Sequence, residues 1–142
     1  MVDQAAVGRS FAAVTARAEP GRLRFFLNTL GDGNVAFRGP GAVLPPTYLF
    51  CLEMLDAADP FEYLKALDID LSRVLHGEQG FAYQAPVRVG DVLTFRPRLA
   101  SVTEKKGGAM TLVVVETAVT NQEGLHVADL SRTIVVLETA AA

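Results

Sequence analysis

The sequence predicts an α+β domain in which one long antiparallel sheet wraps around a single apolar helix. Two observations carry this. The stretch 45–58, PPTYLFCLEMLDAA, is apolar on nearly every face: Tyr48, Leu49, Phe50, Cys51, Leu52, Met54 and Leu55 are broken only by Glu53. A helix apolar all round has to be covered on all sides, and this one is too short to span a bilayer. From residue 71 onward the apolar period changes from 3.6 to 2, and three long segments follow at 92–103, 109–120 and 125–138. A strand of about twelve residues is roughly 40 Å long. Three in antiparallel succession twist and curl, which gives a concave face able to hold one helix.

Composition bounds the function. The 142 residues suit one domain, expected to run 1–142. Half are apolar and a fifth charged, so the chain is globular. The net charge of -3 and the lack of a basic block argue against nucleic acid. Cys51 is the one cysteine, so no internal disulfide can form; a core position and a reducing, cytoplasmic setting are expected. The start, MVDQAAVGRS, has no cationic segment leading into an apolar run, so neither a signal peptide nor a membrane segment is expected. Two histidines and one core cysteine are poor material for a metal site. No metal or cofactor is implied. The tail 139–142, TAAA, reads as a frayed end.

The elements follow in order. Residues 11–19 read as a short first strand. Pro20 suits a first helical position, and Leu23, Phe26, Leu27 and Leu30 then recur at helical spacing until Gly31, a natural stop. Gly31, Gly33, Gly39 and Gly41 with Pro40, Pro45 and Pro46 make 31–46 a loop, long enough to be functional. After the central helix, Asp59 as N-cap, Pro60 at the first position and Glu62 completing a capping box start a short helix ending near Leu67. Two short strands are expected at 71–75 and 79–84, then the three long ones. Pro97 argues for an edge or a bulge. The turns 105–108 and 121–124 are short and glycine-bearing, as hairpins require.

Six segments carry a resemblance: Gly8-Arg9, RFFLNTLGDGN at 24–34, PPTYLF at 45–50, LHGEQGFAYQAPVRVGD at 75–91, EKKGGAM at 104–110 and TNQEG at 120–124. The segment 75–91 is the most specific. Together they resemble the N-terminal, FAS1-like half of the MaoC-type dehydratases, a group that includes the non-catalytic subunits of (3R)-hydroxyacyl-ACP dehydratases and the R-specific enoyl-CoA hydratase 2 family. The resemblance implies the hot-dog fold, a helix as sausage in a sheet as bun. It implies reversible hydration of a trans-2-enoyl thioester, on coenzyme A or acyl carrier protein. It also implies assembly as a homodimer or a heterodimer.

Catalysis in that family uses Asp, then Asn two residues on, then His three residues later, in the loop after the first helix. Asp32 and Asn34 stand where the motif wants them, but Phe37 occupies the histidine position and Val35 the usual proline. Phenylalanine can neither give nor take a proton, so general acid–base catalysis cannot run from there. Two readings of Asp32 and Asn34 stand: a remnant motif, or ordinary turn residues bonding their own backbone. Phe37 reads either as the lining of an acyl pocket or as core packing.

His76, beside Glu78, is either a tuned acid–base pair or a histidine fixed at an interface. Thr47 and Tyr48 open the central helix, where their amides could polarise a thioester carbonyl. Lys105 and Lys106 read as a solvated turn, and His126 as a solvent-face residue.

Three functional readings follow. The chain is the degenerate hot-dog subunit of a heteromeric hydratase or dehydratase, providing acyl-chain space beside a catalytic partner. Alternatively it is a self-sufficient homodimer using His76 with Asp32 or Glu78. Or it binds an acyl thioester without turnover. Thioesterase chemistry is a minor fourth, since one fold hosts many reactions.

Overall fold

The computed structural model describes residues 1–138. The expected frayed end at 139–142 lies outside them. Five strands form one antiparallel sheet: β1 (Val14–Arg17), β2 (Val74–Tyr83), β3 (Val92–Lys105), β4 (Met110–Thr120) and β5 (His126–Leu137), in the order β1-β3-β4-β5-β2. Among the described residues three α-helices accompany it: α1 (Pro20–Leu30), α2 (Tyr48–Asp56) and α3 (Glu62–Ala66). The two long hairpins β3–β4 and β4–β5 form as the alternation predicts. The curled sheet with α2 on its concave side is the hot-dog arrangement.

Sequence and structure diverge at several places. The first strand is Val14–Arg17 rather than 11–19, because residues 8–11 bond instead along β3: Gly8 N–H donates to the Leu99 carbonyl and Phe11 N–H to that of Pro97. Proline, with no N–H of its own, thus sits where β1 has ended, as its edge position requires. The strands expected at 71–75 and 79–84 are one strand, β2, preceded by a 3-10 turn at Leu71–Arg73. Gly77 joins the halves at a bulge between His76 and Glu78. A Cβ there would stand 3.0 Å from Val135 Cγ2, so glycine lets the backbone approach.

Asp59 does not cap α3 directly. Its carboxylate accepts from Phe61 N–H at 3.0 Å, closing a turn, and the helix begins only at Glu62, so the capping box does not form. Finally, α2 is not enclosed on all sides. Tyr48, Leu49, Leu52 and Glu53 are buried, but Phe50, Cys51 and Met54 are half-buried and Leu55 is 60 % exposed. One sheet covers one side of a helix and leaves the other side partly exposed.

α1 ends as expected. Gly31 adopts φ 69, and the Asp32 N–H reaches back to the Leu27 carbonyl at 2.9 Å. Leu23 and Leu27 face the core, while Leu30 is exposed.

The concave face of the sheet carries two apolar clusters. One gathers Leu49, Leu52 and Tyr48 of α2 with Leu93, Phe95, Val119, Val127 and Leu130. The other gathers Tyr63 and Leu64 of α3 with Leu99, Val113, Val115, Ile134 and Val136. Between them the same inward-facing strand positions hold Pro97, Thr117 and Arg132.

Candidate functional site

The loop 31–46 holds its shape through short-range hydrogen bonds. Asn34 N–H donates to Asp32 Oδ1 at 2.8 Å, and Ala36 N–H to Asn34 Oδ1 at 3.0 Å, so Asn34 caps a 3-10 turn at Val35–Phe37. Arg38 donates to the Asp32 carbonyl at 2.5 Å and reaches Asn28 Oδ1 at 3.4 Å. Both motif side chains therefore bond backbone two residues on, as Asx turns do.

Phe37 projects from this turn onto the first apolar cluster. It lines a groove of about 450 Å³ with Pro20, Leu23, Leu27 and Val89, and Arg24 and Arg38 also border it. Phe37, at the position the resemblance assigns to histidine, thus forms part of an apolar wall.

Thr47 precedes α2 and makes no capping bond with its side chain. The Tyr48 amide donates to the Pro45 carbonyl at 3.1 Å, so it is engaged within its own turn rather than presented to a ligand. The Tyr48 ring is fully buried against Phe26, with centroids 4.9 Å apart. Its hydroxyl is enclosed without a partner, and burial pushes its pKa up. The start of α2 is tied down by Tyr83, whose hydroxyl donates to the Pro46 carbonyl at 2.6 Å. Burial raises that phenol to about 12.

His76 lies elsewhere, on β2. Its ring sits 5.3 Å from Phe50 of α2, and Nε2 lies 3.1 Å from the Glu78 carbonyl oxygen rather than its carboxylate. The structure gives Asp32 and His76 separate sets of partners and does not bring them together. His126 is exposed and bonded to Asp129, and Lys105 and Lys106 occupy the exposed β3–β4 turn. Cys51 is half-buried rather than core, and burial pushes its thiol up. Among the described residues no group of three or more His, Cys, Asp and Glu side chains is placed to hold a metal. Among the described residues no helix is long and apolar enough to cross a membrane.

Sequence reasoning missed the polar seam between the two apolar clusters. Arg132 Nη2 donates to Glu53 Oε2 at 2.9 Å, and Thr117 Oγ1 donates to Glu53 Oε1 at 3.3 Å. Both charged residues are only 7 % exposed. The guanidinium stands 5.1 Å from the Phe50 ring and 5.4 Å from that of Tyr63, distances at which an aromatic face attracts a cation. Burial pushes the Glu53 carboxyl up, against the opposing pull of Arg132 and Thr117. Satisfaction is incomplete. Arg132 Nε is enclosed without an acceptor, and both polar atoms of the Gln79 amide, directly across the ladder from Arg132, are enclosed without a partner. The signal was present: Arg132 is in phase with Leu130 and Ile134, Thr117 with Val115 and Val119, and Glu53 breaks the apolar helix.

Comparison with known proteins agrees with the fold. Residues 5–130 match the family described as FAS1-like, dehydratase domain region. A UPF0336 protein of Streptomyces coelicolor is 34 % identical over 137 residues, covering 89 % of each chain. Among solved structures, the HadBC (3R-hydroxyacyl-ACP dehydratase) complex of Mycobacterium tuberculosis is similar, with a TM-score of 0.78. It is 21 % identical and covers 92 % of this chain and 96 % of that one. The (R)-hydratase of A. caviae involved in PHA biosynthesis has a TM-score of 0.65 at 17 % identity, covering 93 % and 96 %.

Proposed function

This chain belongs to the FAS1-like dehydratase domain region family, and from that premise we propose that it is the acyl-accommodating hot-dog subunit of an (R)-specific enoyl-thioester hydratase or 3-hydroxyacyl-thioester dehydratase. Residues 1–142 act as one domain in this reading, beside a catalytic subunit of the same fold. The observation that carries it is Phe37. At the position where the family holds its histidine, an aromatic ring packs into an apolar groove, and the neighbouring Asp32 and Asn34 bond backbone. A proton cannot be taken or given from that ring, whereas an apolar groove suits an acyl chain.

The need for a partner is also physical. α2 leaves Phe50, Met54 and Leu55 incompletely covered, and β2 is an edge strand of the sheet with Leu75 exposed. An unpaired edge beside apolar surface invites a second sheet. HadBC is itself described as a complex, which supports the heteromeric form. A homodimer remains the second reading, favoured by His76 lying on that same edge strand.

The test is hydration of crotonyl-CoA, followed by loss of enoyl absorbance, for the chain alone and with a MaoC-type protein carrying an intact Asp–Asn–His loop. Activity only in the mixture is expected. Turnover by the chain alone at a rate typical of such hydratases would overturn the reading. If His76→Ala then abolished it, the homodimer would stand.

A further inference from the structure

The groove beside Phe37 has a charged side that an acyl tail alone does not use. Its walls are apolar: Leu23 and Leu27 of α1, Phe37, Pro40 and Val89. Its charged lining consists of Arg24 and Arg38, and no carboxylate side chain lines it. The chain carries 16 acidic and 13 basic residues, so two cations without an acid around one groove run against the overall charge. The volume, about 450 Å³, falls in the range of small-ligand pockets.

Both arginines keep a charge that no acid offsets. Arg38 donates to neutral acceptors, the Asp32 carbonyl and Asn28 Oδ1. Those bonds fix its guanidinium at the Asn28 end of α1 without neutralising it. Arg24 is exposed, and its Nη2 lies back along the helix, 3.9 Å from where a Cβ on Gly21 would stand. Among the described residues neither arginine forms an ion pair. The acids nearest in sequence are engaged elsewhere. Glu19 Oε1 lies 3.9 Å from Arg17 Nε, and Asp32 Oδ1 accepts from the Asn34 N–H. An apolar groove with a cationic rim complements an amphiphile with a hydrocarbon tail and an anionic head. The guanidinium fork takes a carboxylate through two parallel N–H···O bonds.

We propose that this groove binds a free medium-chain fatty carboxylate, with the hydrocarbon against Leu27, Phe37 and Val89 and the carboxylate on Arg24. Arg24 is the anchor because Arg38 is already tied to the loop; Arg38 adds a second positive charge. This deepens the acyl reading, which gives the groove a tail but no head group, and rests on it only for the choice of a hydrocarbon chain. A carboxylate bound here fills the space of a thioester's tail. Where both readings hold, the free acid competes with the acyl thioester and restrains its own formation.

The experiment titrates the isotope-labelled full chain with octanoate, octanol and octylamine, three chains of equal length and different head charge, and follows nitrogen–proton correlation spectra. Octanoate is expected to move the Arg24 Nε–H signal and the amides of Leu27, Gly39 and Val89. It should bind about fivefold or more tightly than octanol, the factor a partly exposed ion pair supplies, and octylamine should bind most weakly. Added salt should narrow the gap between octanoate and octanol. Arg24 is exposed, so its variants keep the fold. Arg24→Gln should remove the preference for octanoate, and Arg24→Glu should turn it toward octylamine. Equal binding of the three chains overturns the proposal. So does binding of none, a preference for octanoate that survives Arg24→Glu, or shifts confined to residues outside the groove. Octanoate is no thioester, so the two readings fail separately. Hydration of crotonyl-CoA in the mixture without octanoate binding strikes this proposal alone; octanoate binding without hydration strikes the hydratase reading alone.

Discussion

The loop 31–46 and the seam at Glu53–Arg132 both hold polar residues, and they are built in opposite ways. In the loop, Asp32 and Asn34 bond backbone two positions along, in exposed surroundings. In the seam, Glu53 meets Arg132 across 79 positions of sequence and Thr117 across 64, inside the fold. A local bond forms in almost any context and specifies little beyond a turn. A buried long-range pair exists only when the helix and two strands are in place, and it is costly if half of it is lost. The residues that resemble a catalytic motif are thus the least committed energetically, and the residues outside any motif the most.

The sharpest way to test that contrast is to remove half of the seam. Arg132→Ala leaves a buried, uncompensated carboxylate and should cost about 3–5 kcal/mol, read from the midpoint of urea unfolding. The double change Glu53→Leu/Arg132→Met should be neutral or stabilising. If Arg132→Ala cost no more than a surface change, the seam would be solvated and the contrast would fail.

Next in size is Phe37. It is half-buried, so Phe37→Ala should cost about 1–2 kcal/mol, below the 3–5 kcal/mol of full burial. In the proposed assembly it should alter the preference among acyl-chain lengths while leaving crotonyl-CoA turnover nearly intact. Lost turnover with unchanged stability would assign Phe37 to the chemistry.

A pH series sharpens the seam further. Burial raises the Glu53 carboxyl above its ordinary value, so the folded form keeps its proton to higher pH than the unfolded chain does. The stability due to this group is therefore complete below the ordinary carboxylate pKa and is lost as pH rises through the raised folded value. Unfolding midpoints of the native chain and Glu53→Gln should show the native chain gaining on the variant as pH falls from about 8 to about 4. The deficit of Arg132→Ala should shrink over the same range, because Glu53 can then be neutral. A pH-independent difference would mean that Glu53 titrates as an exposed carboxylate does.

The same contrast explains what could be read in the sequence. Alternation over 92–137 and the helical spacing of Leu23, Phe26 and Leu27 reported the sheet and α1, because those periods are local properties of strand and helix. The apolar run at Tyr48–Leu55 located the central helix but overstated its coverage. Periodicity counts apolar residues and does not report how many of them one sheet can cover. The Gly77 bulge was misread as a break between two strands, since a glycine inside a strand looks the same in either case. The loop's turn chemistry was legible because Asp32 and Asn34 act within two residues. The seam was not, because pairing Glu53 with Arg132 needs the register of β4 with β5 and the rotation of α2. Only their phase, polar residues at inward positions, was visible.

The smallest expected effects lie in the loop. Asp32→Ala and Asn34→Ala each remove one exposed, local hydrogen bond, and each should shift stability by no more than about 0.5–1 kcal/mol. More telling is their effect on rate. If the loop is only a turn and, as proposed, the acid and base belong to a partner, hydration by the assembled pair should be unchanged in either variant. General acid–base catalysis contributes about a hundredfold or more. A loss of that size in Asn34→Ala, with the fold intact and the partner bound, would show that the remnant still orients a reacting group. The loop would then be half of a shared active site, and its weak local bonding would be the freedom it needs to change partners when substrate arrives.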